Sequence, residues 1–266
     1  MPVAEQVDGL HVDEITVKYG GVTAVSGQTL TAPRGRITGL IGPNGAGKTT
    51  TFNAISGIVR PASGQVFLFG EDVTHSAVQA RARKGLGRTF QRMELFDTLT
   101  VAENVVMGKE AAVAGRRPLA HLRISPANKR LARASAADAM ELCGITSLAR
   151  RRPAELSTGQ RRLVELARTV AGQFRVLLLD EPSSGLDKRE TERFGEILTT
   201  LVRDQGVGIL IVEHDMALVM STCDHIHVLD FGRPIFEGSP REVANSALVR
   251  SAYLGSEAAG LEVAAP

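Results

Sequence analysis

Short apolar runs alternate with longer amphipathic stretches along much of the chain, which predicts strands interleaved with helices. The runs at 37–41, 176–179 and 207–212 are almost wholly apolar and have the length of strands, a pattern typical of strands buried on both faces of a sheet. Apolar residues recur on one side of a helix predicted at 161–170, so that helix has one buried face. The pattern predicts an α/β fold with a mostly parallel sheet.

Three regions depart from this alternation. Residues 10–32 contain two strand-like segments separated by a Gly-Gly turn, which predicts a pair of strands. Between about 98 and 153 the composition shifts to alanine, arginine and leucine, and capping patterns predict helices over 101–114 and 126–143. Residues 256–266 are rich in alanine, glycine and glutamate and are expected to be frayed.

A glycine-rich turn, G-P-N-G-A-G-K-T at 42–49, joins the strand predicted at 37–41 to a predicted helix, as the P-loop motif requires. Its glycines let backbone N–H groups point into an anion-binding concavity, and the helix N-terminus adds partial positive charge. Lys48 would contact the β- and γ-phosphates, and Thr49 would ligate Mg²⁺. We therefore expect the chain to bind a nucleoside triphosphate. The predicted phosphate-binding residues are Gly42, Pro43, Asn44, Gly45, Ala46, Gly47, Lys48, Thr49 and Thr50.

Two carboxylates, Asp180 and Glu181, follow directly after an apolar strand, and ligands of α/β sheets bind at that end of the strands. Adjacent strand residues point to opposite sides, so the two acids are expected to have different roles. Asp180 is suited to bind Mg²⁺ and its coordinated water. Glu181 is suited to act as the general base for an attacking water. His214 ends another buried strand, where it could reach the γ-phosphate.

The segment L-S-T-G-Q at 156–160 begins a predicted helix. Ser157 and Gln160 fit a capping box, which explains them as a well-formed helix start. Gly159 beside the Ser157 hydroxyl at a helix N-terminus also fits a second phosphate site. The residues alone leave both interpretations open.

His225 and His227 alternate with apolar residues near Cys223, and we interpret them as the polar face of a strand. A metal site formed with Cys223 is rejected, because no fourth ligand lies at usable spacing.

Composition narrows the function classes. The chain has 266 residues, 43% of them hydrophobic, and a formal net charge of +2, so a packed core is expected and nucleic-acid binding is not. Cys143 and Cys223 have no metal or disulfide spacing, which favours a reduced, cytosolic setting. No apolar run approaches the roughly 20 residues that cross a bilayer, and no signal peptide is expected.

The motifs in chain order are the P-loop, L-S-T-G-Q at 156–160, V-L-L-L-D-E at 176–181 and S-G-L-D at 184–187, with Tyr19, Gln91 and His214. This set resembles that of the ATP-binding cassette ATPases. The resemblance implies a P-loop NTPase core with a mostly parallel sheet, an antiparallel β subdomain and an inserted α-helical subdomain.

The same resemblance divides the chain. A single ATPase domain would span 8–255. Its ATP-binding core with the β subdomain would occupy 8–98 and 154–255, and its helical subdomain would occupy 99–153. ATP and Mg²⁺ would be its cofactors.

Roles follow from the resemblance residue by residue. Tyr19 would stack on the adenine, and Gln91 would sense Mg²⁺ and water while facing a membrane partner. Glu181 would be the catalytic base, and His214 would contact the γ-phosphate.

The resemblance also implies a dimer, because the Ser157 region of one subunit covers the nucleotide held by the P-loop of the other. Ser157, Gly159, Gln160 and Asp187 would contribute to that shared site. Thr158 stands where the family usually has a glycine, and we expect the phosphate contact to survive.

A narrower likeness lies in R-T-F-Q at 88–91, V-E-H-D-M at 212–216 and A-Y-L-G at 252–255. These look like the ATP-binding subunits of branched-chain amino acid importers, with urea or amide importers as an alternative. The implied partners are a second ATPase subunit, identical or paralogous, transmembrane permease subunits and, indirectly, an extracytoplasmic binding protein. The implied location is peripheral, on the inner face of the cell membrane.

Two rival classes are weighed against the transporter ATPase. Cassette proteins of translation carry two cassettes in tandem, and those of DNA repair carry a long coiled coil. This chain has neither an internal repeat nor sustained heptads. A regulator that binds nucleotide without hydrolysing it is disfavoured, because Glu181 and His214 are both present.

Overall fold

The computed structural model describes residues 7–89, 95–116 and 126–253. Gln91 and the expected tail at 256–266 lie outside these residues. The strands are β1 (Gly9–Tyr19), β2 (Val22–Pro33), β3 (Ile37–Ile41), β4 (Ser63–Leu68), β5 (Glu71–Asp72), β6 (Leu86–Arg88), β7 (Val176–Asp180), β8 (Gly208–Val212), β9 (His225–Asp230) and β10 (Arg233–Gly238). The helices are α1 (Lys48–Ser56), α2 (Val78–Lys84), α3 (Val101–Arg116), α4 (Pro126–Leu142), α5 (Thr158–Ala171), α6 (Lys188–Gln205), α7 (Met216–Thr222), α8 (Pro240–Asn245) and α9 (Ala247–Tyr253).

The larger sheet has the order β10-β9-β3-β8-β7-β6, and its strands are parallel except for the antiparallel pair β9–β10. Its central strands are buried on both faces. Leu177 and Leu179 of β7 pack into one apolar cluster, whereas Leu178 packs into the other. Because both faces of these strands are buried, their sequences are continuous apolar runs. The predicted α/β fold is confirmed.

The smaller sheet is antiparallel and has the order β2-β1-β4-β5. The predicted turn joins β1 to β2, and Gly20 in that turn has a φ of 58°, which glycine adopts without a steric penalty. Apolar residues of β1 share a core cluster with Phe52 of α1 and with Leu40 of β3. The smaller sheet therefore packs over α1 on one face of the larger sheet.

Helices α3 and α4 correspond to the helices predicted in the alanine-rich region. Val101 and Val105 of α3 and Ala136 of α4 join the same apolar cluster as Val164 of α5. Gly108 allows this close packing, because a Cβ placed on it would lie 1.8 Å from the backbone oxygen of Arg168.

The first helix is shorter than the apolar pattern suggested. Apolar residues recur beyond the start of α1 as far as Ile58 and Val59, yet the helix ends at Ser56. Gly57 terminates it with a φ of 83°, and its N–H donates to the Ala54 oxygen at 3.2 Å. A left-handed glycine of this kind is a common helix stop.

Strand β9 differs from its interpretation as a strand with a polar face. His227 is only 5% exposed, and burial lowers its pKa to about 4. The imidazole of His227 is therefore neutral at neutral pH.

The parallel pairing places several strand ends at one edge of the larger sheet. Asp180 at the end of β7 is the register partner of Val212 at the end of β8, and Val212 also pairs with Leu40 of β3. Since β3 leads into the glycine-rich turn, the candidate functional residues converge at this edge.

Candidate nucleotide-binding site

The glycine-rich turn has the strand–turn–helix geometry that its motif predicts. It runs from the end of β3 to the start of α1 at Lys48. A Cβ on Gly42 would lie 2.1 Å from the Leu229 oxygen, and one on Gly47, where φ is 98°, would lie 2.8 Å from the Ala24 oxygen. Only glycine fits such close backbone approaches. The turn is thereby held against β2 and the end of β9.

The N-terminus of α1 faces a cavity of about 520 Å³. Gly47 is the N-cap residue and supplies no side-chain hydrogen bond, so the first backbone N–H groups of α1 remain available to an anion. The residues lining the cavity are Val22, Thr23, Ala24, Asn44, Gly45, Ala46, Gly47, Lys48, Thr49, Thr50, Glu181 and Phe231.

Lys48 is held close to the turn. Its Nζ donates to the backbone oxygens of Gly42 at 2.6 Å and Pro43 at 2.9 Å. Burial lowers the pKa of Lys48, and the nearby charges of Glu181 and Asp180 oppose that shift. An ammonium in this position can exchange its two carbonyl partners for phosphate oxygens.

Asp180 is buried at the end of β7, and one of its carboxylate oxygens binds Arg88. Its Oδ2 accepts from Arg88 Nη2 at 3.1 Å, while Oδ1 is buried with no hydrogen-bond partner among the described residues. Burial raises the pKa of Asp180, and Arg88 opposes this rise. The unsatisfied Oδ1 is the kind of atom that a cation would coordinate.

Glu181 does not continue strand β7, which ends at Asp180, so the prediction from strand alternation is wrong for this residue. Its φ is 47°, in the left-handed region, and its N–H donates to the Val212 oxygen at 2.8 Å. A non-glycine residue in that region costs of order 1–3 kcal/mol and often marks a functional site. This backbone turn directs Glu181 to the cavity of the P-loop.

Glu213 links the loops that follow β7 and β8, and sequence reasoning assigned it no role. Its Oε1 accepts from the N–H of Ser183 at 2.7 Å, and its Oε2 accepts from the N–H of His214 at 3.1 Å. Burial raises the pKa of Glu213. The His214 side chain is 64% exposed and extends from this braced loop.

The helix start at Ser157 forms the predicted capping box with Gln160. It lies against the start of α6, where Asp187 forms a second capping box with Glu190. A Cβ on Gly159 would lie 2.2 Å from Glu190 Oε1, so glycine permits this packing. Ser157, Gly159, Gln160 and Asp187 therefore form one cluster, and none of them lines the cavity of the P-loop in the described chain.

One aromatic residue at the cavity, Phe231, was not indicated by the sequence. Tyr19 is 49% exposed but is not among the described residues lining the cavity. Phe231 is 90% exposed, lines the cavity and has a φ of 43°. The only feature of the sequence that could have pointed to Phe231 is its position in a turn between two strands.

The fold and the site together define an ATP-binding cassette, an ATPase of the P-loop class. Residues 25–184 match the family model described as ABC transporter. Residues 233–259 match the model described as Branched-chain amino acid ATP-binding cassette transporter. The chain belongs to the ABC transporter family.

Individual relatives agree with this assignment and confirm the narrower resemblance. The chain is 38% identical over 249 residues to the high-affinity branched-chain amino acid transport ATP-binding protein BraF of Pseudomonas aeruginosa, covering 92% of this chain and 97% of that protein. It is 35% identical over 250 residues to the corresponding protein LivG of Escherichia coli, with the same two coverages of 92% and 97%.

Solved structures show the same architecture. The crystal structure of the ADP conformation of MJ1267, an ATP-binding cassette of an ABC transporter, has a TM-score of 0.81 and 28% identity, covering 92% of this chain and 98% of that one. None of the described helices has the length and apolar character needed to span a membrane.

Proposed function

We propose that this chain is the ATP-hydrolysing subunit of an importer for branched-chain amino acids, bound to transmembrane permease subunits at the cytoplasmic face of the membrane. The assignment of the substrate class rests on the match of residues 233–259 to the model of branched-chain amino acid transporters. The names of BraF and LivG support the same class. A binding protein outside the cytoplasm would act on this subunit only through the permeases.

The phosphates of ATP would lie on the glycine-rich turn, from Gly42 to Thr50, with Lys48 on the β- and γ-phosphates. A bound Mg²⁺ is supported by Asp180 Oδ1, which is buried without a hydrogen-bond partner among the described residues. Thr49 and Asp180 would hold Mg²⁺, which neutralises charge that develops on the phosphates. Gln91 remains a predicted third participant.

Glu181 is the proposed general base for the attacking water, because its side chain lines the cavity that the P-loop forms. His214 would contact the γ-phosphate from the loop that Glu213 braces. Tyr19 remains the predicted adenine contact, and Phe231 is a second aromatic side chain at the same cavity.

Two copies would complete each site. Ser157 and Asp187 are exposed and lie outside the P-loop cavity of their own chain. The N-terminus of α5, with its partial positive charge, can therefore approach the nucleotide of a second subunit, identical or paralogous. ATP would then hold two subunits together, and hydrolysis would release them.

The permease would dock in a groove between α3 and α4, a cavity of about 520 Å³. Its floor is apolar and its rim carries both signs of charge, as suits a short amphipathic segment from a partner. The residues lining it are Leu99, Ala102, Glu103, Val106, Met107, Glu110, Lys129, Arg133, Ala136 and Met140.

The test of the proposed function is uptake by cells in which Glu181→Gln replaces the natural chain. We expect uptake of labelled leucine, isoleucine and valine to be lost while urea uptake continues. Glu192→Gln, an exposed change on α6, is the matched control and should leave uptake intact. Loss of urea uptake alone would favour the alternative importer, and unchanged uptake of every substrate would favour a cassette ATPase outside transport.

A further inference from the structure

Two histidines and a glutamate meet on the hairpin formed by β9 and β10. His225 and His227 lie two residues apart and therefore share one face of β9. Glu237 of β10 is the register partner of His227. His227 is buried, His225 is half-buried and Glu237 is exposed. The proposed function uses none of these three side chains.

Their polar atoms are close together. Glu237 Oε2 lies 2.9 Å from His227 Nδ1. The rings of His225 and His227 are 4.9 Å apart between centroids and meet edge to face at 69°. One ligand atom from each of the three residues lies within 4.8 Å of the other two. The arrangement resembles the donor set of a metal site before the ligands contract around an ion.

The contact between His227 and Glu237 leaves part of this arrangement unexplained. When Nδ1 of His227 bonds to Glu237, Nε2 of the same ring is buried and has no hydrogen-bond partner in the described part of the chain. Buried polar atoms of this kind are rare without a ligand, a water or an ion. The ring of His225 lies beside the His227 ring, edge to face.

We propose that His225, His227 and Glu237 bind a divalent transition-metal ion, with Zn²⁺ as the favoured ion. Zn²⁺ accepts imidazole nitrogen and carboxylate oxygen at about 2.0–2.2 Å, which puts tetrahedral ligand atoms roughly 3.3 Å apart. His225 and Glu237 can reach that spacing by side-chain rotation, because both have solvent beside them. A water would take the fourth position.

Other donors near the hairpin do not belong to the site. Glu242 acts on His225 through its charge, but its Oε2 already accepts from the N–H and Oγ of Ser239, both at 2.7 Å. Cys223 is buried in the apolar core cluster. Mg²⁺ and Ca²⁺ prefer all-oxygen ligands, so the nitrogen donors separate this site from the proposed Mg²⁺ site at the P-loop.

The experiment measures Zn²⁺ binding to the full chain, stripped with a chelator and free of nucleotide, by isothermal titration calorimetry in the presence of excess Mg²⁺. We expect one Zn²⁺ per chain and a rise in the melting temperature, since an ion that binds the folded state stabilises it. Glu237→Gln and His225→Asn should each weaken Zn²⁺ binding by at least about tenfold. Co²⁺ in place of Zn²⁺ should give visible absorption bands that either change removes.

The matched control is His75→Asn, which removes an exposed histidine from another part of the surface and should leave Zn²⁺ binding unchanged. Melting without metal shows that the variants are folded, and Glu237→Gln alters an exposed side chain that the fold tolerates. The proposal is overturned if the wild-type chain binds no Zn²⁺, because the contact between His227 and Glu237 would then be only a hydrogen bond. It is also overturned if Glu237→Gln binds Zn²⁺ as tightly as the wild-type chain does. ATP hydrolysis does not enter the readout, so this result is independent of the proposed function.

Discussion

Arg88 Nη2 lies 3.1 Å from Asp180 Oδ2, and the same guanidinium donates through Nη1 to Asn53 Oδ1 and Ser56 Oγ at 2.8 Å each. The side chains of Arg88 and Asp180 are 9% and 2% exposed. This pair therefore connects the end of β7 to the helix that follows the P-loop. It orients the carboxylate whose other oxygen has no hydrogen-bond partner among the described residues.

Replacing Arg88 by methionine should lower the free energy of unfolding by about 3–5 kcal/mol, because it leaves a buried carboxylate without its partner. Urea denaturation at pH 7 measures this change. ATPase activity should also fall, since Asp180 loses its orientation. Arg203→Met breaks an exposed pair with Asp204 and should have no measurable effect on stability. Equal effects of the two changes would contradict this account.

Replacing Glu181 by glutamine should lower the rate of ATP hydrolysis by about 10²–10⁴, the usual loss when a general base is removed. ATP binding should persist, because the phosphate-binding residues of the turn are untouched. A steady-state ATPase assay beside equilibrium ATP binding separates the two effects. Glu192→Gln should match the wild-type chain in both. Full hydrolysis by the Glu181 variant would require another base.

Replacing Gly159 by alanine should disturb two helix starts at once. The added Cβ would lie 2.2 Å from Glu190 Oε1, and displacing Glu190 breaks the capping box at Asp187. Loss of such a cap costs about 1 kcal/mol, which thermal unfolding can measure. Nucleotide-dependent dimerisation should weaken further, because Ser157 moves with this helix start. Gly21→Ala, where a Cβ meets nothing within 4 Å, should leave stability nearly unchanged.

Replacing Phe231 by alanine should weaken ATP binding by about 1–3 kcal/mol, the range for stacking of a base on an aromatic ring. The loss should be smaller for inorganic triphosphate, which has no base. Fluorescence titration of Phe231→Ala and Tyr19→Ala would show which ring contacts the adenine. Phe96→Ala removes an exposed aromatic ring outside the cavity and serves as the control. ATP binding that is unchanged in both variants would exclude stacking on either ring.

Replacing Glu213 by glutamine should change how stability depends on pH. Burial raises the pKa of Glu213 above its ordinary value of 4.5, so the folded chain takes up this proton at higher pH than the unfolded chain. The Glu213 contribution to stability therefore rises as pH falls through the raised pKa toward 4.5.

The variant lacks this contribution, so wild-type stability minus variant stability should increase toward acid pH. Urea denaturation across that range measures the difference. Asp180, whose pKa burial also raises, is present in both proteins and cancels. A difference that is independent of pH would show that Glu213 does not titrate in this way.

Local patterns in the sequence predicted much of the core of the fold. The strand, turn and helix around Lys48, the helix start at Ser157 and the acidic end of the strand at Asp180 were all predicted from neighbouring residues. Each is decided within a few positions, by glycine geometry, by capping hydrogen bonds or by continuous apolar runs. The alternation of side chains along a strand did not predict the direction of Glu181, because a left-handed backbone angle after the strand redirects its side chain.

By itself the sequence determined the class of the protein and the order of its motifs, because these depend on residues close together in the chain. Only the tertiary structure decided that Arg88 pairs with Asp180, that Phe231 lines the cavity and that Glu237 faces His227. Strand register and sheet order bring these residues together. Strand register is set by the packing of whole sheet faces, so it cannot be read from the spacing of residues along the chain.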